Sequence, residues 1–237
     1  MSKWETLWEN GPRFRQAEHA KLSTDSVLLA DFVRPERAGA GIDLGCASGL
    51  RALLLLARAE DQHMTGLELR PDAAALAEEN LRENGLVDRS MVITGDVRAH
   101  RDLFAPGSFD LVVANPPYFA RGRGVPSPDP ARAAARSEEE LSLYELCTAA
   151  AYLLPTGGRL CLCYKPERLS ELLCCLTDHG LEPKRLRLVC LRPDRAPNLV
   201  LVECRRGGGP GVSLEPCLFL QDPDGSESQE YRRIYRR

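Results

Sequence analysis

Four residues, Asn115-Pro116-Pro117-Tyr118, close an apolar run at 109–114. Neither proline has an N–H with which to continue a central strand, so the pair ends the run and turns its carbonyls away from the sheet. Asn115 offers a neutral carboxamide oxygen as acceptor. Its side chain and the Pro116 carbonyl together can hold both hydrogens of a planar amine. Tyr118 can stack on the flat group that carries the amine. The plain alternative is an ordinary strand-end turn. An asparagine before two prolines and an aromatic, at this place in an alternating pattern, is the more specific signal.

A second stretch, Asp43-Leu44-Gly45-Cys46-Ala47-Ser48-Gly49, joins a short apolar run to a leucine-rich segment. Small residues in such a strand-to-helix turn let the backbone approach a ligand closely. Glu68 ends the next apolar run, where a carboxylate can accept both hydroxyl protons of a ribose. Asp96 ends the one after that and can accept from an adenine amine; its plain alternative is a helix N-cap. The G-x-G-x-x-G spacing is not matched, because Ala47 stands between Gly45 and Gly49, and there is no G-x-x-x-x-G-K-[ST] loop. The pattern therefore predicts a nucleoside ligand without a polyphosphate.

These residues need elements to place them. Apolar runs at 40–44, 64–69, 91–94, 109–114 and 158–164 read as buried strands. Helical patterns lie between them at 49–59, 71–84 with Pro71 at a first helical position, 138–154 and 167–179. Runs at 186–191 and 198–204 have no helix between them and predict a closing antiparallel hairpin. The expectation is an α/β fold: a Rossmann-like, seven-stranded, mostly parallel sheet with helices on both faces. One domain is expected over 1–206, including an N-terminal extension, with 207–237 as a C-terminal appendage.

Composition sets the outer limits. The chain has 237 residues, 43% hydrophobic and 27% charged, with a net charge of -3. These values exclude a disordered, collagen-like or coiled-coil chain. The charge also argues against indiscriminate nucleic-acid coating, so a nucleic-acid contact would need a local patch. Nine cysteines show no paired metal-ligand spacing and read as small buried hydrophobes; no metal is expected. With no export signal and no apolar run near bilayer length, the expected location is cytoplasmic and away from membranes.

Taken in order, residues 43–49, Glu68, Asp96 and Asn115–Tyr118 resemble class I S-adenosylmethionine-dependent methyltransferases of the amino-group branch. Residues 21–29, 136–138, 195–198 and the C-terminal Tyr231-Arg232-Arg233-Ile234-Tyr235 narrow the resemblance to the bacterial tRNA(Val) adenine-N6 methyltransferase family. The resemblance implies S-adenosylmethionine as cofactor, bound by Asp43, Gly45, Gly49, Glu68, Asp96 and Asn115. It implies that Asn115, Pro116 and Tyr118 are catalytic. Ala47 stands where many of that family have glycine, and Ser137 where many have histidine.

The expected reaction is N6-methylation of an adenine in structured RNA, with tRNA first among the partners. Tyr118, Phe119, Arg121, Arg123 and Arg195 are the expected substrate contacts. Residues 120–136 carry Arg121, Arg123, Arg132 and Arg136 against Asp129, and residues 181–206 carry seven cations against three acids. Either patch could meet phosphates or be solvated surface. The same tetrapeptide would suit N5-methylation of a protein glutamine, but such enzymes carry an N-terminal helical domain, and about 38 residues precede the first strand here. N6-adenine or N2-guanine methylation of another nucleic acid, or a non-catalytic binding module of this fold, are the remaining alternatives.

Overall fold

The computed structural model describes residues 3–17, 22–34, 39–116 and 141–236. A two-stranded hairpin, β1 (Glu5–Thr6) and β2 (Arg13–Phe14), and helix α1 (Thr24–Phe32) precede the main sheet. The alternating body runs β3 (Gly39–Leu44), α2 (Leu50–Leu56), β4 (Gln62–Glu68), α3 (Pro71–Glu83), β5 (Ser90–Thr94), α4 (His100–Leu103), β6 (Leu111–Ala114), α5 (Leu143–Leu153), β7 (Arg159–Tyr164) and α6 (Leu169–Asp178). Strands β8 (Leu181–Cys190) and β9 (Pro197–Arg206) follow, then short β10 (Ser213–Leu214) and β11 (Leu218–Phe219), and helix α7 (Gln229–Ile234).

The central strand order is β8-β9-β7-β6-β3-β4-β5, with β9 antiparallel to both its neighbours and the rest parallel. The expected α/β sheet and its antiparallel hairpin are therefore present. The hairpin's second strand inserts between β7 and the first. Strand β8 starts at Leu181, five residues before the apolar run that marks it in sequence. Pro183 hides that beginning; it is accommodated where the pairing with β9 shifts register between Pro183 and Arg185, a bulge that needs no donor from it.

Both sheet faces are covered, so the strands alternate between two apolar cores. Leu111, Val113, Cys161 and Cys163 face α1 and α2, while Val112, Ala114, Leu160, Leu162 and Tyr164 face α5 and α6. Local signals start the helices. Ser23 caps α1 by accepting from the Ser26 N–H, Pro71 opens α3, and Ser142 with Glu145 forms a reciprocal capping box on α5. Beyond residue 206, β10 and β11 add in parallel to β8, and α7 packs on α1. Leu218, Ile234 and Tyr235 are buried in the α1-side core. No helix among the described residues is long and apolar enough to cross a membrane.

Candidate active site

The strand order reverses at β3, which lies between β4 and β6. Open α/β sheets hold ligands in the crevice outside such a point. A cavity of about 250 Å³ lies there, lined by the residues that leave β3, β4, β5 and β6. Gly45, Glu68, Asp96, Asn115 and Pro116 all border it, with Leu67, Leu69, Val97, Ala114 and Leu146 as apolar wall. A larger hollow of about 610 Å³ sits at the opposite end of the strands, around Gly39, Asp110 and Pro155. It carries none of the sequence motifs.

Gly45 adopts φ +69 and a Cβ there would meet nothing within 4 Å. Its lack of a side chain keeps the cavity wall bare. Gly49, at φ +76, does different work: a Cβ there would lie 3.0 Å from the Ala77 Cβ, so the glycine lets α2 approach α3. It is not part of the cavity wall. Ala47 is also left-handed, at φ +50, which is costly for a residue with a Cβ.

Asp43 lies behind this turn rather than in the cavity. It is fully buried and receives the Arg51 Nε at 2.8 Å. Burial pushes its carboxyl up from the usual carboxylate range, against the pull of the Arg51 guanidinium. Arg51 also donates to the Gly45 carbonyl at 2.6 Å and to Ser26 Oγ at 3.1 Å. One buried side chain thus ties β3, the glycine-rich turn and α1 together.

Glu68 braces the turn from the other side. Its Oε2 accepts the Ala47 N–H at 2.8 Å and its Oε1 accepts the Arg70 N–H at 3.0 Å. Each carboxylate oxygen has a second lone pair, so both remain able to accept from a diol. Asp96 accepts the Arg98 N–H at 2.8 Å and so caps the turn Val97–Ala99. The N-cap reading and a place on the cavity wall therefore hold together. Hydrogen bonds from the Arg98 side chain keep its carboxyl below the usual range, with partial burial opposing them.

Asn115 stands one residue beyond β6, on the α1 side of the pleat. Its Nδ2 donates to Ser26 Oγ at 3.3 Å, and its Oδ1 accepts from Cys163 Sγ at 3.1 Å. Pro116 follows, buried, on the cavity wall. Tyr118, Phe119, Arg121 and Arg123 lie outside the described residues, as does Ser137.

The cations of 181–206 mostly serve the fold. Arg185 is buried and bonds Glu203, Glu215 and the Phe32 carbonyl, while Arg187 grips Glu230. Lys184, Arg205 and Arg206 donate to the carbonyls of Gly209, Gly157 and Ala151. Arg195 differs. It lies between β8 and β9 at the same end of the sheet as Asn115, with 60% of its side chain exposed and Asp194 3.8 Å away.

Three residues escaped the sequence reading: Ser26, Arg51 and Cys163. Arg51 had a signal, a lone cation in the run Leu50–Leu56. Ser26 lies in the 21–29 stretch that carries part of the family resemblance, though nothing there points to Asn115, and Cys163 had no signal, since only folding brings the two to that amide. Elsewhere, Cys147, Cys175 and His179 have ligand atoms within 4.8 Å of one another. The imidazole is already engaged through Nδ1 with the Cys175 carbonyl and through Nε2 with Thr148 Oγ1. That arrangement is a helix–helix contact with its polar atoms satisfied.

Residues 18–168 match the methyltransferase small domain family. The chain belongs to that family. The matched span contains every residue placed on the cavity above, together with Ser26, Arg51 and Cys163. This methyltransferase is 34% identical over 212 residues to the tRNA1(Val) (adenine(37)-N6)-methyltransferase of Tolumonas auensis, covering 89% of this chain and 86% of the relative. It is 32% identical over 223 residues to the protein of the same name from Porphyromonas gingivalis, covering 90% and 86%. Among solved structures, a predicted O-methyltransferase from Agrobacterium tumefaciens superposes with a TM-score of 0.74 at 20% identity, over 90% of this methyltransferase and 96% of that chain. That likeness concerns the fold.

Proposed function

We propose that this methyltransferase methylates N6 of an adenine in tRNA, with S-adenosylmethionine as donor. The observation that carries the reading is that Asn115 and Pro116 share one cavity with Gly45, Glu68 and Asp96. A bare glycine wall, two carboxylates and apolar faces between them suit a nucleoside that bears no polyphosphate. When bound, S-adenosylmethionine supplies an activated methyl group on a good leaving group.

The remaining work falls to the chain. Glu68 accepts from the ribose hydroxyls and Asp96 from the donor's adenine amine. Asn115 Oδ1 and the Pro116 carbonyl accept from the amine to be methylated. That amine is a poor nucleophile because its lone pair is delocalised into the ring. Two acceptors favour a pyramidal nitrogen and stabilise the charge that grows there. Asn115 is no base, so the proton leaves to water afterwards. The target base must leave its stack, at a cost of a few kcal/mol; Tyr118 and Phe119 are assigned to replace the lost stacking. Arg121, Arg123 and Arg195 are assigned to phosphates.

A glutamine amide would present a similar planar amine, but the names of the relatives favour the tRNA adenine. Purified protein incubated with a labelled methyl donor and tRNA from cells lacking the gene tests the reading. Nucleoside mass spectrometry should find N6-methyladenosine, and nuclease treatment beforehand should abolish transfer. Label that survives nuclease and maps to a glutamine would replace this reading with the protein-substrate one.

A further inference from the structure

The Asn115 carboxamide is approached from two elements distant in sequence. Strands β6 and β7 pair in parallel with Ala114 opposite Leu162, so one step further sets position 115 beside position 163. The period-2 pleat points both toward α1. The Cys163 thiol, fully buried, lies 3.1 Å from Asn115 Oδ1. From α1, Ser26 Oγ accepts Asn115 Nδ2 at 3.3 Å. The serine is itself held, because Arg51, which can only donate, reaches the same oxygen at 3.1 Å.

We propose that Ser26 and Cys163 are positioning residues that clamp the Asn115 carboxamide, so that Oδ1 meets the acceptor amine in one fixed orientation. The inference rests on the role given to Asn115 above. An amide side chain rotates about a soft terminal torsion, and its two ends differ: the oxygen attracts an amine hydrogen and the NH2 repels it. A rotation of half a turn would put the wrong end forward. The clamp opposes that rotation by giving each end a matching partner, an acceptor for Nδ2 and a donor for Oδ1. A thiol is a weak donor. It occupies one lone pair of Oδ1 and leaves the oxygen electron-rich for the amine.

Single-turnover methylation of tRNA from cells lacking the gene, run beside calorimetry with S-adenosylhomocysteine, tests the clamp. Cys163→Ala should lower the rate about five- to tenfold, the worth of one neutral hydrogen bond. S-adenosylhomocysteine affinity should not change. Cys163→Ser, which restores a donor, should return the rate to within about twofold of wild type by the same reasoning. Ser26→Ala should behave like Cys163→Ala. In an Asn115→Ala background neither substitution should cost anything further, because both act through that amide. If Cys163→Ala does not fold, Cys163→Val fills the space without a donor and enters the same cycle. Equal losses in the wild-type and Asn115→Ala backgrounds, or wild-type rates in both single variants, would overturn the clamp while leaving the proposed function intact. A wild-type protein that transfers no methyl group to tRNA overturns the function, and the clamp with it.

Discussion

Arg51 and Asp43 form an ion pair sealed from solvent: Nη2 lies 2.7 Å from Oδ1, and the two side chains are 5% and 0% exposed. Breaking such a pair by removing one partner leaves a buried charge without compensation. Arg51→Met should therefore destabilise the protein by about 3–5 kcal/mol, read from the urea midpoint. Arg51→Lys should recover only part of this, since an ammonium cannot reach Asp43, Gly45 and Ser26 as the guanidinium fork does.

Glu68→Ala removes an acceptor from the cavity wall and, in the same stroke, the brace on the Ala47 N–H. S-adenosylhomocysteine binding should weaken by about 1.5–3 kcal/mol for each charge-assisted hydrogen bond lost. Titration calorimetry measures this directly. Unchanged affinity would place the ribose elsewhere.

Asn115→Ala should lower methyl transfer by about 10²- to 10³-fold, the usual effect of deleting one pre-aimed polar group. S-adenosylhomocysteine binding should stay near wild type, because the proposed site assigns the ribose and adenine contacts to Glu68 and Asp96. A variant with wild-type turnover would show that the amine is held by other groups.

Ala47 occupies a left-handed conformation at φ +50. Ala47→Gly should relieve about 1 kcal/mol of that strain, less the entropy a glycine adds to the unfolded chain. The expected result is a small rise in the urea midpoint. A fall would mean that the Ala47 methyl group contributes packing greater than its backbone cost.

Cys174 and Cys217 are exposed, whereas Cys46, Cys147, Cys161, Cys163, Cys190 and Cys204 are buried. Burial pushes the Cys161 thiol up to about 12 and raises Cys46, Cys147 and Cys204 as well. A thiolate-specific reagent at neutral pH should thus modify two of the nine cysteines rapidly in the native protein, half-buried Cys175, its thiol raised by burial, more slowly, and the six buried ones only in denaturant. Peptide mapping of the fast pair should return Cys174 and Cys217.

Much of this was present in the sequence because it depends on local pattern. Continuous apolar runs, a helix opened by Pro71, and acids at the end of β4 and just beyond β5 can each be read within a few residues, whereas the pattern starts α5 at residue 138 and misses the Ser142 cap that opens it at Leu143. The order of motifs, from the glycine-rich turn through Glu68 and Asp96 to Asn115–Tyr118, was enough to indicate the chemistry. What the sequence left open were choices made between distant segments. The family resemblance implied Asp43 and Gly49 as cofactor ligands, and the fold puts the first behind the turn, paired with Arg51, and the second against Ala77. The sequence alone presents the cations of 181–206 as one patch. Pairing β8 with β9, and the packing of α7, spent Arg185 and Arg187 on Glu203 and Glu230 and left Arg195 exposed. Ser26 and Cys163 lie 89 and 48 positions from Asn115, and no local periodicity relates them. They meet because α1 crosses the face of the sheet on which β6 and β7 lie side by side, and that juxtaposition is a property of tertiary packing alone.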